Sequence, residues 1–347
     1  MKRSLLSTLL VALLILIVGC SKENTEPVVS EPEEEDKVVE ETVEAEKFEA
    51  NYPLTGIETN EDINRRTVAV MVNNHPKARP QSGLHKSDIV YEVLAEGDVT
   101  RFLAIFQSQV PEKIGPVRSS REYYIKLSKG YDAFYIAHGY SPDAKEMLDA
   151  NVVDNINGME YDGKLFERAD FRKPPHNSYI TYENIVKGAE MNDIATTHDV
   201  APLPFLTEDE LESIEGVDGK SVKIAYSSKD YATAEYLYDE VEQTYYRYSM
   251  GAITEDLDTK EPVSIDNLFI VETTHKVIDE AGRNDIDLTS GGNAYLLQKG
   301  KMKEVEWKNV DGRILPYVNG AAVKLVPGRT WINIVPTLSK VSQPTTN

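Results

Sequence analysis

Apolar positions fall into three regimes along the chain, and each predicts a different physical state. Residues 5–18 are all apolar or small, preceded by Lys2 and Arg3 and followed by Gly19 and Cys20. Residues 21–50 offer almost nothing that a core would bury. From Tyr52 onward, apolar runs and alternations return with turn residues between them, the pattern of a globular chain. The run Thr67-Val68-Ala69-Val70-Met71-Val72 predicts a buried strand, and 88–95, 101–109 and 133–137 predict three more, with Gly97-Asp98 as a hairpin between the second and third. Helical spacing predicts helices over 119–129, 142–150 and 182–191. After Ser221 strands dominate: 221–226, 234–238, 244–248, 267–273, 294–298, 303–307 and 323–326. Lys299-Gly300 and Asn319-Gly320 punctuate that stretch, the second suited to a type I′ hairpin.

The fold class expected is α+β. An N-terminal α/β domain with a mixed sheet occupies 51–198, a proline-bearing acidic linker 199–219, and a smaller mainly β domain 220–347. The order of the strands does not follow from the pattern.

The first regime has the charged start, apolar core and small residue before cysteine of a secretory leader, and it is too short to cross a bilayer as a helix. Residues 1–19 are therefore expected to be a lipoprotein signal peptide, cut before Cys20, whose thiol then carries lipid. A diacylated cysteine holds a chain stably where one acyl chain does not. This places the mature chain on the extracytoplasmic face of a cell membrane. Cys20 is the sole cysteine, so neither an intramolecular disulfide nor a cysteine metal site is available to the fold.

Charge sharpens this picture. Residues 21–50 hold 3 basic against 12 acidic side chains, and predict a self-repelling spacer between membrane and folded body. With these and the two leader cations set aside, 51–347 keeps a net charge of −14 out of the chain's −21. Such a body disfavours nucleic acid, which is not expected as a partner, although a local basic site still suits an anion.

Candidate chemistry gathers at two expected junctions between strand or loop and helix. Ser119 and Glu122 have capping-box spacing, yet Arg118 and Arg121 flank that helix start, where cations oppose the helix dipole. Either an anionic ligand sits between these cations and the backbone amides, or a local carboxylate such as Asp88, Glu92 or Glu96 pairs with them. His138 leads into a helix capped by Ser141 with Pro142 in its first turn, and the candidate catalytic pair is His138 with Asp143 or with a carboxylate from the Asp88 strand. Asp88, Glu92 and Glu96 recur at four-residue intervals, and neighbours at that interval on a strand lie ~13 Å apart, too far for paired glycosidase carboxylates. With Gly97-Asp98 as the turn, Glu96 falls near Arg101 and an ion pair is expected. Seven tyrosines between Tyr226 and Tyr248 suit either a stacking platform for sugars or an ordinary sheet. Pro174-Pro175-His176-Asn177 reads as a rigid polar turn. Gly158–Leu165 matches a phosphate-binding loop until Leu165 replaces the hydroxyl residue, and no cofactor or metal is expected.

The chain resembles the YerB-like bacterial lipoproteins, a family built around a domain of unknown function. The resemblance rests on Arg66-Thr67-Val68-Ala69-Val70-Met71-Val72-Asn73, Arg79-Pro80-Gln81-Ser82-Gly83-Leu84, Asp88-Ile89-Val90-Tyr91-Glu92, Glu96-Gly97-Asp98-Val99-Thr100-Arg101-Phe102-Leu103-Ala104, Gly115-Pro116-Val117-Arg118-Ser119-Ser120-Arg121 and Pro327-Gly328-Arg329-Thr330-Trp331-Ile332. It implies an N-terminal α/β and a C-terminal mainly β part, and no activity. The ligand-binding candidates are Arg101, Arg118, Ser119, Arg121, Glu92 and Glu96. The reading that follows is a non-catalytic binding protein of the cell envelope, taking a cell-wall glycan, a small anion or an envelope protein. The alternatives are an envelope hydrolase or transferase acting on a cell-wall glycan, and a scaffold for other envelope proteins.

Overall fold

The computed structural model describes residues 48–343, which form one compact unit. The leader, Cys20 and most of the acidic spacer lie outside the described residues. In the first half the principal elements are β1 (Val68–Asn73), β2 (Ile89–Leu94), β3 (Thr100–Phe106), α1 (Glu122–Lys129), β4 (Phe134–Ala137), α2 (Pro142–Asp149), β5 (Asn155–Asn157) and α3 (Tyr182–Met191). The second half adds β6 (Ser221–Ala225), β7 (Thr233–Asp239), β8 (Thr244–Ser249), β9 (Ala252–Ile253), β10 (Asn267–Glu272), β11 (Gly292–Gln298), β12 (Lys301–Val310), β13 (Arg313–Val318) and β14 (Thr330–Val335).

One large sheet runs through both halves in the order β13-β12-β11-β10-β14-β2-β3-β1-β4-β5. The joint is β14, which lies parallel to β10 on one side and to β2 on the other, so that Ile332 faces both Phe269 and Tyr91. Every residue of Thr330-Trp331-Ile332-Asn333-Ile334-Val335 is buried, as befits a parallel strand covered on both faces. Full burial of each large apolar side chain there contributes about 1.5–3 kcal/mol.

Alternate residues of this sheet feed two cores. Met71, Tyr91, Leu103, Phe269 and Ile332 point to one face, which α1 and α2 cover. Val70, Val90, Phe102, Leu268 and Trp331 point to the other, where Val222, Ile224, Ala234, Tyr236 and Tyr245 of a second sheet, β9-β8-β7-β6, pack against them.

The N-terminal half corrects one expectation. Its sheet is mixed, with β1, β4 and β5 parallel to one another and β3 antiparallel to both β1 and β2, but helices are few and short, so sheet rather than an α/β alternation organises it. The strand expected at 323–326 is instead a loop segment, because Leu325 exchanges backbone hydrogen bonds with Pro204 and Leu206. Four of these strands went unread: the short β5 and β9, β13, whose Pro316 reads as a breaker, and β14. Both two-residue hairpins form. Lys299 and Gly300 have φ of 47° and 71°, Asn319 and Gly320 of 51° and 83°, the left-handed pairs a type I′ turn requires. Among the described residues no helix is long and apolar enough to cross a membrane.

Candidate functional site

The parallel strands β1, β4 and β5 end side by side, at Asn73, Ala137 and Asn157. Carboxyl ends of parallel strands are where ligands gather in open sheets. The 115–121 segment is laid across these ends by backbone hydrogen bonds, Arg118 N to Met71 O (2.9 Å) and His138 N to Arg118 O (2.9 Å). Arg118 and His138 thus share one surface, as the sequence suggested.

The expected capping box at Ser119 does not form. Helix α1 starts at Glu122, with Arg121 in the N-cap position and no side-chain cap, while Ser119 Oγ donates to His138 O at 3.1 Å. Of the two arginines flanking the expected helix start, only Arg121 meets a negative charge, that of Glu96. It pairs with Arg101 at 2.6 Å and with Arg121 through its other oxygen. Arg101, Arg121 and Glu96 are thereby committed to one another and not open to a ligand. Glu92 is committed too. It is buried in a two-point ion pair with Arg247, at 2.9 Å to Nε and 2.8 Å to Nη2. Asp88 is a third separate case, accepting from Gln107 N, Ser108 N and Ser108 Oγ. The three acids therefore serve three different partners.

His138 holds the position of a catalytic base without its electronic state. Arg168 Nη2 lies 2.7 Å from Nε2, and a guanidinium has only donors, so Nε2 accepts. The ring proton then sits on Nδ1 and points to Ser178 Oγ, 2.8 Å away. A histidine that donates to a serine does not take that serine's proton. Burial, then the Arg168 charge, keep the ring below its usual pKa. Asp143 is exposed in the first turn of α2 and makes no hydrogen bond to His138 among the described residues. The catalytic pair is not assembled.

Arg118 differs from its neighbours. Among the described residues no carboxylate lies within ion-pair distance; Nη1 donates to Pro175 O at 3.2 Å, and the buried Nε has no partner. Burial, with Arg101 nearby, lowers its pKa to about 10. Two imidazoles complete this corner. Asn73 Oδ1 accepts from His75 N (2.9 Å), which turns the Asn73 amide N–H toward His176 Nδ1 (2.9 Å), while Lys77 N donates to His75 Nδ1 (3.1 Å). Each neutral ring therefore carries its proton on Nε2. The rings stack with centroids 4.5 Å apart. Burial, followed by His75, Arg118, Lys77 and Arg172, pushes His176 down to about 4. The same segment is pinned by Arg172, which donates to Ala78 O, Pro80 O and the Tyr179 hydroxyl. What results is a set of N–H donors and latent cations with no acid among them.

Asn73, His75 and His176 were missed as site residues in the sequence. The only signal was the Pro174-Pro175-His176-Asn177 turn, since 102 residues separate Asn73 from Pro175 and nothing local announces the meeting.

Comparison with known proteins matches two family models to the chain. Residues 54–195 match the family model "Protein of unknown function (DUF3048) N-terminal domain" and 222–332 match the DUF3048 C-terminal domain. The chain is 51% identical over 292 residues to "Putative lipoprotein YerB" of Bacillus subtilis (strain 168), covering 84% of this chain and 87% of that one. The crystal structure of the YerB protein from Bacillus subtilis superposes with a TM-score of 0.80 at 49% identity, covering 86% of this chain and all of that one. The chain belongs to the YerB-like family, proteins of unknown function built from DUF3048 N-terminal and C-terminal domains.

Proposed function

We propose that the protein is a non-catalytic binding lipoprotein of the cell envelope, tethered on the extracytoplasmic face of the membrane through Cys20, and that it receives an anionic group at Arg118, His75 and His176. The carrying observation is the Arg118 guanidinium: half-buried, with its Nε unpartnered and no carboxylate beside it. Holding a cation in that state costs stability, and a phosphate or carboxylate would relieve it through charge-assisted hydrogen bonds. The ligand group is a small anion, free or as a substituent of a cell-wall glycan. The lipid tether draws support from the leader pattern ending at Cys20 and from the relative's printed description as a lipoprotein. The His138 tautomer favours binding over hydrolysis.

The test is a thermal-shift titration of the 48–347 fragment with inorganic phosphate, acetate and phosphorylated peptidoglycan fragments. A ligand that binds only the folded state raises the melting temperature by mass action. A saturable shift that disappears in Arg118→Ala supports the proposal. An unchanged shift in that variant, or no shift with any of the anions, refutes it.

A further inference from the structure

A cleft of about 420 Å³ opens between the segment Arg79-Pro80-Gln81 and the edge strand β9 with its continuation to Glu255. Its volume lies in the range of small-ligand sites. Strand β9 is the free edge of the second sheet, paired with β8 alone. The ladder fixes which backbone groups are spare. Thr254 N donates inward to Arg247 O (2.7 Å) and Thr254 O accepts inward from Val263 N (3.0 Å), so Ile253 turns its N–H and C=O the other way, and Glu255 its N–H. That outward side is already used once as a pairing edge. Leu257 N donates to Gln81 O at 2.7 Å, and Gln81 pairs in parallel with Asp256. Before that point the lane is open, and it is the cleft.

Arg79 stands at the wall of this lane. Its Nε donates to Asn74 O and Oδ1, Nη1 to Ser249 Oγ at 2.7 Å and Nη2 to Tyr231 O at 3.0 Å. One N–H on each terminal nitrogen remains uncommitted, and among the described residues no carboxylate lies within ion-pair distance. Pro80, Ala252 and Ile253 supply apolar wall and Thr254 a hydroxyl, while Arg247 and Glu255, which also line the cleft, are each paired already, with Glu92 and with Lys260 at 3.6 Å. Spare main-chain groups on an edge strand, apolar walls and one cation without an acid match an extended peptide ending in a carboxylate.

We propose that this cleft binds the carboxyl-terminal end of a short extended peptide, which pairs with the outward groups of Ile253 and Glu255 and places its carboxylate on Arg79. The site is separate from the Arg118 surface and stands or falls independently of it.

The probes are the tripeptide Ala-Ala-Ala, its carboxyl-terminal amide and acetate, titrated by calorimetry against the 48–347 fragment, whose described part is one compact unit. Expected are saturable binding of the acid, at least tenfold weaker binding of the amide, and acetate weaker still. Arg79→Gln, which removes the cation, should bring the acid close to the amide. Ile253→Pro, which removes one outward N–H on an edge strand where proline is tolerated, should weaken acid and amide alike at least tenfold. The acetate titration is read as displacement of bound tripeptide, so that acetate taken up at Arg118 does not register. Equal affinity for acid and amide overturns the carboxylate contact, and acetate binding as tightly as the tripeptide overturns the strand pairing. The three-probe comparison on the unmutated chain keeps the proposal refutable even where a variant fails to fold.

Discussion

Replacing Glu92 by Gln should destabilise the whole molecule. Six donor groups converge on this carboxylate: Arg247 Nη2 (2.8 Å), Thr100 Oγ1 (3.0 Å) and Asn74 Nδ2 (3.1 Å) on Oε1, with Arg247 Nε (2.9 Å), Trp331 Nε1 (3.3 Å) and the Tyr236 hydroxyl (3.4 Å) on Oε2. Glu92 and Arg247 are each 1% exposed, so water does not substitute for a lost partner. An amide has one acceptor oxygen in place of two and sets its own N–H groups against some of those donors, while Arg247 loses its counter-charge. Removing one partner of a buried pair costs about 3–5 kcal/mol. The network joins β2 and β3 of the first half to β8 and β14 of the second, so the loss should be global. The assay is urea unfolding followed by fluorescence of Trp307 and Trp331 and by far-ultraviolet circular dichroism, with coincident transitions required before a free energy is taken. The double variant Glu92→Gln, Arg247→Met removes the uncompensated charge, and its cost should fall short of the sum of the singles by at least about 2 kcal/mol. A cost under about 1 kcal/mol for Glu92→Gln, or strict additivity, would refute the reasoning.

Two further outcomes concern the site. His176 is held at about 4 when folded against 6.5 for a free histidine, so the unfolded chain binds more protons between those values. Its contribution makes stability fall as pH drops from about 6.5 toward 4. A bound anion favours the imidazolium, so phosphate affinity should rise through the same window; affinity flat from pH 7 to 5 contradicts the assignment. Arg168→Ala removes the charge beside His138 and frees Nε2, so the His138 pKa should rise in a proton NMR titration, with an unmoved value arguing against the assigned tautomer.

Most of the first half's longer elements were legible because their signals are local, while the short β5 and the true start of α1 were not. The apolar run of β1, the Ser141-Pro142 start of α2 and the Gly97-Asp98 turn each announce themselves within a few residues. The sheet that unites the halves was not legible. The central neighbours of β2 are β3, just past a turn, and β14, more than two hundred residues on, and no local pattern encodes that pairing. The Glu96–Arg101 pair followed from hairpin register, whereas Glu92 looked like a surface candidate because its partner Arg247 comes from the other half. The cations could be named from the sequence; which of them lacked an acid could not.

That distinction decides the candidate site, because acid is in excess. The chain has 58 Asp and Glu against 37 Lys and Arg, so a half-buried arginine without a carboxylate does not reflect a shortage of acids. Arg66, Arg101, Arg121, Arg168, Arg247 and Arg283 all have one, while Arg65, Arg79, Arg172, Arg313 and Arg329 donate to backbone or hydroxyl oxygens instead; among the described arginines without an acid, Arg118 is set apart by a buried Nε that no group accepts from. If Arg118 is left unpaired for a ligand, supplying an internal acid should trade function for stability. His176→Asp places a carboxylate in the corner that Arg118 faces and removes a latent cation. For a partly exposed pair the gain should be about 0.5–1 kcal/mol at neutral pH, read as a higher urea midpoint, and the phosphate-induced thermal shift should vanish with it. A variant that loses the phosphate response without gaining stability would show only that His176 is a contact. One that gains stability and still responds to phosphate would mean that the anion binds elsewhere, and the reading of Arg118 as the receiving group would be wrong.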